Sequence, residues 1–598
     1  MKRSEVPVNL TWDLSLIYKS ADEAWKDADK LRKLAAKIEA DYKGKLTDAK
    51  TIVDCLHLSE EAGELATRVS HYFELAMETD YSNAEYVANA NKIGALLTEC
   101  YTQTSFIDSE LVLASEEALT EAIKIGGSVS KYIEKSLRAK PHTLSSETEK
   151  VLASLDELMN TPYDVYLQTK LSDMRFDDFT VNGKTYPLGY ALFEDEYEYE
   201  KDTDVRRAAF RNFSDKIKQY ENVTATAYNA YVTRDKRMAE VRNYKDVFDY
   251  LLFEEEITKD LYDRQIDVIM EKLAPHMRKY AKLLQKVHKL DKMTYADLKL
   301  SVDPEFDPRV SIEEAEKYLA DGLSVLGPEY VDMIHEAFAK RWMDFATNDG
   351  KCTGGFCASP YGVPASFILL SWQNRMADVF TLAHELGHAG HFRLCNKEQG
   401  YYNTMVPRYY VESPSTINEL LLTNYLEKTN PDPRFKRWVI SCTVGKTYYH
   451  NFVTHLLEAA YQREVYKLID QGGSVQAETL SEIFKDVLTK FWGDTVELTE
   501  GAELTWMRQP HYYMGLYSYS YSASLTIATK VARRVEEEGQ KAVDDWKEAM
   551  KAGSTVTPLE FAKMAGVDIS TDGPLNETID YIGSLIDEMW ELTEQLGF

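Results

Sequence analysis

Along most of the chain, apolar positions recur at helical spacing. After Trp12-Asp13-Leu14, Ser20 and Glu23 stand three apart as a capping pair, and Trp25, Ala28, Leu31, Ala35 and Ile38 follow on one face. Ser146 and Glu149 predict a second helix start, with Val151, Leu152, Leu155 and Leu158 turned inward. Thr258 opens a third helix carrying Leu261, Ile266, Ile269, Met270 and Leu273, with Pro275 as its kink or stop. Ser311-Ile312-Glu313-Glu314 repeats the capping signal. Only two places read as β structure. Asn182-Gly183, between 176–181 and 184–186, predicts a two-residue hairpin. A second β region runs from 354–357 to 367–372, after the turn Asn348-Asp349-Gly350. The pattern predicts a mainly α protein with loops at 303–308 and 430–433 and no internal repeat. The acidic run at 194–200 reads as a solvated face.

Composition narrows the partners. The chain has 598 residues, 44% of them apolar and 28% charged, so it can bury a large core without disulfide or metal staples. Its net charge of −29 repels phosphates and anionic lipid headgroups, so neither nucleic acid nor membrane is an expected partner. No apolar run approaches the roughly 18 residues of a membrane span, and Lys2-Arg3 is not followed by the apolar stretch of a signal peptide. The six cysteines (55, 100, 352, 357, 395, 442) contain no CxxC pair. Neither a thiolate metal site nor a disulfide framework is therefore expected, and the setting that fits is a reducing cytoplasm.

The strongest chemical signal follows the second β region. His384, Glu385 and His388 form an HExxH motif. On a helix, residues four apart share a face, so both imidazoles can reach one ion. Glu385 is then placed to accept a proton from water rather than to ligate. A catalytic ion usually takes three protein ligands and keeps one position open. Leu394 stands where a metzincin would carry its third histidine. His391 is a rival ligand, but three residues past His388 it suits a supporting or structural role better. Glu412 is the better third ligand. It lies seven residues before Glu419, so both carboxylates share a helix face; one can ligate while the other hydrogen-bonds a ligand imidazole and fixes its tautomer. Nitrogen and oxygen donors of this kind predict one Zn2+ per chain, though cobalt or manganese could occupy such a site.

The run His384-Glu385-Leu386-Gly387-His388, followed by Glu412-Ser413-Pro414-Ser415 and Glu419, resembles the zinc oligopeptidases of the thimet oligopeptidase and oligoendopeptidase F family. The likeness to oligoendopeptidase F is the closer, and Trp12-Asp13-Leu14 and Lys140-Pro141-His142-Thr143-Leu144-Ser145 extend it over nearly the whole chain. It implies a two-lobed, mostly helical shell around a deep channel that admits short peptides, with a small sheet beside the zinc helix. It also implies a helical region at 1–115, an oligoendopeptidase F-type N-terminal domain with the hairpin at 116–200, and a zinc peptidase domain at 201–598. Peptide hydrolysis develops an oxyanion that needs placed donors. By the resemblance, His511 and the tyrosine-rich stretch 510–521 supply them, Tyr521 ranking ahead of Tyr517. Gly354 and Gly355 stand where a strand could pair with a peptide substrate. The expected activity is zinc-dependent cleavage of internal bonds in oligopeptides, with the oligomeric state left open. A zinc carboxypeptidase is the alternative; it would need a cation for the terminal carboxylate, and Arg375, Arg408 and Arg508 are available. A peptide-binding protein with a structural metal is a further alternative.

Overall fold

Two hydrophobic cores organise the chain in the computed structural model, which describes residues 1–598 apart from the side chains of Ser146 and Glu157. The smaller core runs from Tyr18 to Ile133 and is built by the helices Ala21–Tyr42, Ala49–Glu78 and Ala84–Thr104 with shorter helices behind them. The Ser20 hydroxyl accepts from the Glu23 N–H, while the Glu23 carboxylate reaches the Lys19 N–H, one residue outside the predicted reciprocal cap. Ala24, Ala28, Leu31, Ala35 and Ile38 are buried, and Trp25 sits at the rim. The larger core holds most of the remaining chain, and 72% of all residues are helical, as the periodicity predicts.

The helix Ser146–Gln168 forms, but its cap and its packing face differ from expectation. The Ser145 hydroxyl accepts from the Thr148 N–H; the side chain of Ser146, expected as the cap, lies outside the described residues. Val151, Leu155 and Leu158 are 56%, 38% and 67% exposed. The opposite face is anchored instead, by an ion pair from Glu149 to Arg242 (2.9 Å) and by Arg234 donating to the Met159 carbonyl. Periodicity identifies a helix, whereas polar anchors here select the side that packs. Pro275 marks a stop rather than a kink: the helix Lys259–Lys272 ends at its C-cap Leu273. Pro275 itself lies in the first turn of Ala274–Val287, where its missing N–H costs nothing.

The hairpin pairs β1 (Phe179–Val181) with β2 (Lys184–Tyr186) through Asn182 and Gly183, whose φ values of 50° and 77° suit a primed turn. The second sheet comprises β3 (Met343–Asp344), β4 (Phe356–Ala358) and β5 (Phe367–Leu369) in the order β3-β5-β4. β3 runs parallel and β4 antiparallel to β5, so β4 is an edge strand, and it lies against the helix Met376–Glu398. Trp12 packs on Phe356 and Phe367 and ties the N-terminal segment to this sheet. The acidic run is a solvated face only in part: Asp195, Glu196 and Tyr199 are exposed. Tyr197 is buried, and Glu194 and Glu198 hold Arg508 at 2.8 and 2.9 Å.

The closest helix contact joins Met376–Glu398 to Ser413–Thr429. A Cβ on Gly387 would stand 2.2 Å from the Pro414 carbonyl oxygen and 2.5 Å from Ser415 Cα. Buried Asn418 donates to the Ala383 carbonyl (2.9 Å) and the Tyr330 hydroxyl (2.8 Å), and Tyr330 donates to the Leu386 carbonyl (3.1 Å). Two backbones thus meet where no side chain fits. Gly387→Ala should lose about 1–3 kcal/mol or more of stability by overpacking. Gly94→Ala, in a helix with open space around the glycine, should gain about 1 kcal/mol. Urea unfolding of both variants checks this; equal midpoints would contradict it.

Candidate metal centre and active site

Met376–Glu398 presents His384 and His388 on one face, one turn apart, and the helix Ser413–Thr429 presents Glu412 at its N-cap. Both imidazole Nε2 atoms lie 3.3 Å from Glu412 Oε2. Three ligand atoms about 2.1 Å from an ion at tetrahedral angles would stand about 3.4 Å apart, so the spacing fits. The Ser415 hydroxyl donates to the same carboxylate oxygen (3.0 Å) and holds it in place. Burial works against the charge on Glu412, but its hydrogen bonds to the two histidines hold its pKa well below the ordinary value.

Glu419 orients the first ligand. Its Oε1 accepts from His384 Nδ1 at 2.7 Å, and its Oε2 accepts from the Thr447 hydroxyl at 2.5 Å. A carboxylate only accepts, so Nδ1 carries a hydrogen; burial works against a charge on His384, but the hydrogen bonds to Glu412 and Glu419 raise its pKa well above the ordinary value. Loss of the Nε2 proton frees a lone pair toward Glu412 Oε2, 3.3 Å away, and the two atoms can then share one cation. Two imidazole nitrogens and one carboxylate oxygen suit a zinc-type ion.

Glu385 stays outside the ligand set. It is buried, and burial raises its carboxyl above the ordinary value. It lies beside the turn into β4: a Cβ on Gly355 would sit 3.5 Å from its Oε1. Gly354 precedes it with φ of 89° and open space around it. His391, weighed as a supporting histidine, does not join this cluster. Its ring is fully buried beside Phe392 and toward Phe561, neither nitrogen has a protein partner, and burial lowers its pKa to about 3.

The tyrosine-rich segment gathers a second group of side chains. His511 lies on the short turn Pro510–Tyr513, and Tyr521 lies in the first turn of Tyr519–Glu538. His511 Nε2 is 3.5 Å from the Tyr521 hydroxyl, and the Tyr517 ring centroid is 5.5 Å from that of His511 and 5.3 Å from that of Tyr521. Burial pushes the Tyr521 phenol far up, and the charges of Glu412 and Glu458 reinforce the shift. Tyr521 therefore remains a donor at neutral pH and lies within the fields of both carboxylates.

Sequence reasoning missed His450, His455 and Glu458. His450 lies within a π-helical stretch, Thr443–Thr454, that runs into the helix His455–Asp470. Glu458 Oε2 accepts from His455 Nδ1 (2.7 Å) and the Ser518 hydroxyl (3.1 Å) and lies 3.6 Å from His511 Nδ1. His455 stacks on Tyr521 with centroids 3.9 Å apart, and its Nε2 is 3.0 Å from His450 Nε2. The i, i+3 pair His455 and Glu458 was the signal available. These histidines border a cavity of about 260 Å³ that also reaches Glu198 and Arg508. Of the three arginines considered as carboxylate anchors, Arg508 is neutralised by Glu194 and Glu198, and Arg375 lies 3.5 Å from Asp307. Arg408 is exposed, stands 5.4 Å from the centre of the Tyr517 ring, and makes no ion pair among the described residues.

Comparison with known proteins gives the family of the chain. The family model for Oligopeptidase F matches residues 110–176, and that for Peptidase family M3 matches residues 196–581. Oligopeptidase PepF of Bacillus subtilis (strain 168) is 28% identical over 596 residues, covering 99% of this chain and 88% of that protein. An oligoendopeptidase F homolog of Borreliella burgdorferi is 27% identical, covering 98% and 99% of the two chains. The crystal structure of oligoendopeptidase-F from Enterococcus faecium shares the fold, with a TM-score of 0.72 at 22% identity over 96% of this chain and 99% of that one. The match over 196–581 encloses His384, Glu385, His388, Glu412 and His511, and the chain belongs to peptidase family M3.

Proposed function

We propose that the protein is a zinc endopeptidase that hydrolyses internal bonds of short peptides. One observation carries this reading: His384 Nε2, His388 Nε2 and Glu412 Oε2 converge beside a buried carboxylate, Glu385, that does not join them. When bound there, a zinc ion supplies Lewis acidity that polarises a peptide carbonyl and brings the pKa of water toward about 7. Glu385 takes the proton of the attacking water and passes it to the leaving amine; a carboxyl raised by burial suits both transfers. Tyr521 and His511 donate to the oxyanion, a contribution of about 2.7–4 kcal/mol for one such donor. The free edge of β4 offers backbone partners to an extended peptide, and Gly354-Gly355 keeps that edge open beside Glu385. Recognition of main chain gives tolerance of sequence.

We divide the chain into a helical region at 1–115, an N-terminal domain at 116–200 and a catalytic domain at 201–598; the matches over 110–176 and 196–581 favour the last two. No helix is long and apolar enough to cross a membrane. The six cysteines are unpaired, which suits a reducing cytoplasm. The carboxypeptidase alternative narrows to Arg408, the one candidate anchor without an ion-pair partner among the described residues.

Glu385→Gln should keep zinc content, measured by atomic absorption, while kcat on a fluorogenic oligopeptide falls by about 10²–10⁴-fold; unchanged turnover would remove Glu385 from its role. Chelation should abolish hydrolysis of a peptide blocked at both termini, and one equivalent of zinc should restore it. Cleavage of the free-acid peptide alone, lost in Arg408→Ala, would favour the carboxypeptidase.

A further inference from the structure

We propose that His455, Glu458 and His511 form a second divalent-metal site, which shares no residue with the one at His384, His388 and Glu412 and takes an ion of zinc type. One donor atom from each of the three side chains lies within 4.8 Å of the other two. Glu458 Oε2 stands 2.7 Å from His455 Nδ1 and 3.6 Å from His511 Nδ1. Tetrahedral donors around one ion stand about 3.4 Å apart, so the two spacings bracket the requirement. Two donor atoms of the group have nothing else to bind. Glu458 is 1% exposed, yet its Oε1 has no partner in the protein, and His511 Nδ1 is likewise buried without one. Buried charges are paired or coordinate metals, and an ion among these three groups would meet that need.

The support around these three residues repeats that of the first centre. The Ser518 hydroxyl donates to Glu458 Oε2 at 3.1 Å, as Ser415 does to Glu412 Oε2 at 3.0 Å. His455 ligates through Nδ1 in the tautomer that carries its hydrogen on Nε2, and His450 Nε2 stands 3.0 Å from that atom to accept from it. His450 thereby orients His455 as Glu419 orients His384. His511, ligating through Nδ1, keeps its hydrogen on Nε2, the atom 3.5 Å from the Tyr521 hydroxyl. The ion thus leaves the oxyanion donor in place and ties the turn Pro510–Tyr513 to the helix His455–Asp470. The cavity of about 260 Å³ that His450, His455 and His511 border gives it a way in. Two imidazoles and one carboxylate suit zinc, whereas magnesium and calcium seek oxygen donors. His511 must shift toward Glu458 and His455 must exchange tautomer before both ligate, so the second ion binds more weakly than the first. The site stands whether or not the protein is a peptidase.

Equilibrium dialysis of the metal-stripped protein against Zn2+, with bound metal read by atomic absorption, should show a tight first equivalent and a weaker second. Glu412→Gln should weaken the first and Glu458→Gln the second, each by about tenfold or more and each sparing the other. The second equivalent should also raise the thermal unfolding midpoint, a step absent in Glu458→Gln and absent when Mg2+ replaces Zn2+. Should Glu458→Gln not fold, His511→Gln decides in its place, because His511 is only partly buried on its short turn; it too should lose the second equivalent. Anomalous diffraction at the zinc edge, from crystals of the unsubstituted protein soaked in Zn2+, should place the second ion between Glu458 and His511. A single equivalent that is lost in Glu412→Gln would overturn the second site and leave the first. A single equivalent kept in Glu412→Gln and lost in Glu458→Gln would instead overturn the first centre. A second equivalent that survives both Glu458→Gln and His511→Gln lies elsewhere and overturns the proposal.

Discussion

The contact between Gly387 and the Pro414–Ser415 backbone sets the geometry of everything around it. One helix carries the two histidines and the other begins with Glu412, so the distance between their axes fixes the distance between the ligands. A methyl group at 387 would meet backbone rather than a side chain that could turn aside. Asn418 and Tyr330 then tie the two helices with hydrogen bonds to main-chain carbonyls, which prevents sliding. Glu419, two turns beyond Glu412 on the same helix, reaches the back of His384. Ligand, orienting group and packing surface thus come from one short stretch of one helix.

Two carboxylates side by side are given opposite characters. Glu412 is held ionised by the histidines it faces, whereas Glu385, without a direct hydrogen-bonding partner and beside β4, is raised by burial. Separation of that kind lets one group hold a cation and the other exchange a proton. A further carboxylate, Glu458, stands among His455, Ser518 and His511. Tyr521 stands between the two halves and feels both Glu412 and Glu458.

Much of this was legible from residues close together in the chain. The HExxH spacing, the seven-residue step from Glu412 to Glu419 and the Asn182-Gly183 turn are local patterns, and the structure brings each together as such. The helical character of 146–168 was equally legible, but the side it buries was not, because anchors from the helix Glu221–Val241 decide it. The acidic run looked solvated because its partner, Arg508, lies more than 300 residues away. His391 misled in the other direction: nearness in sequence to His388 turned it into an aromatic pocket rather than toward the ion. The group around Glu458 depends on a π-helical stretch, which apolar periodicity does not announce.

That stretch has a further consequence. Thr447, from its early part, touches Glu419 behind the metal ligands, while His450 and the helix that follows serve His511. The wider coil sets the phase between these two contacts. Ordinary α winding there would rotate one partner off its target while leaving the other seated. The two halves are therefore geared to each other through the winding of a single helix, and an insertion or deletion in that segment would put them out of step.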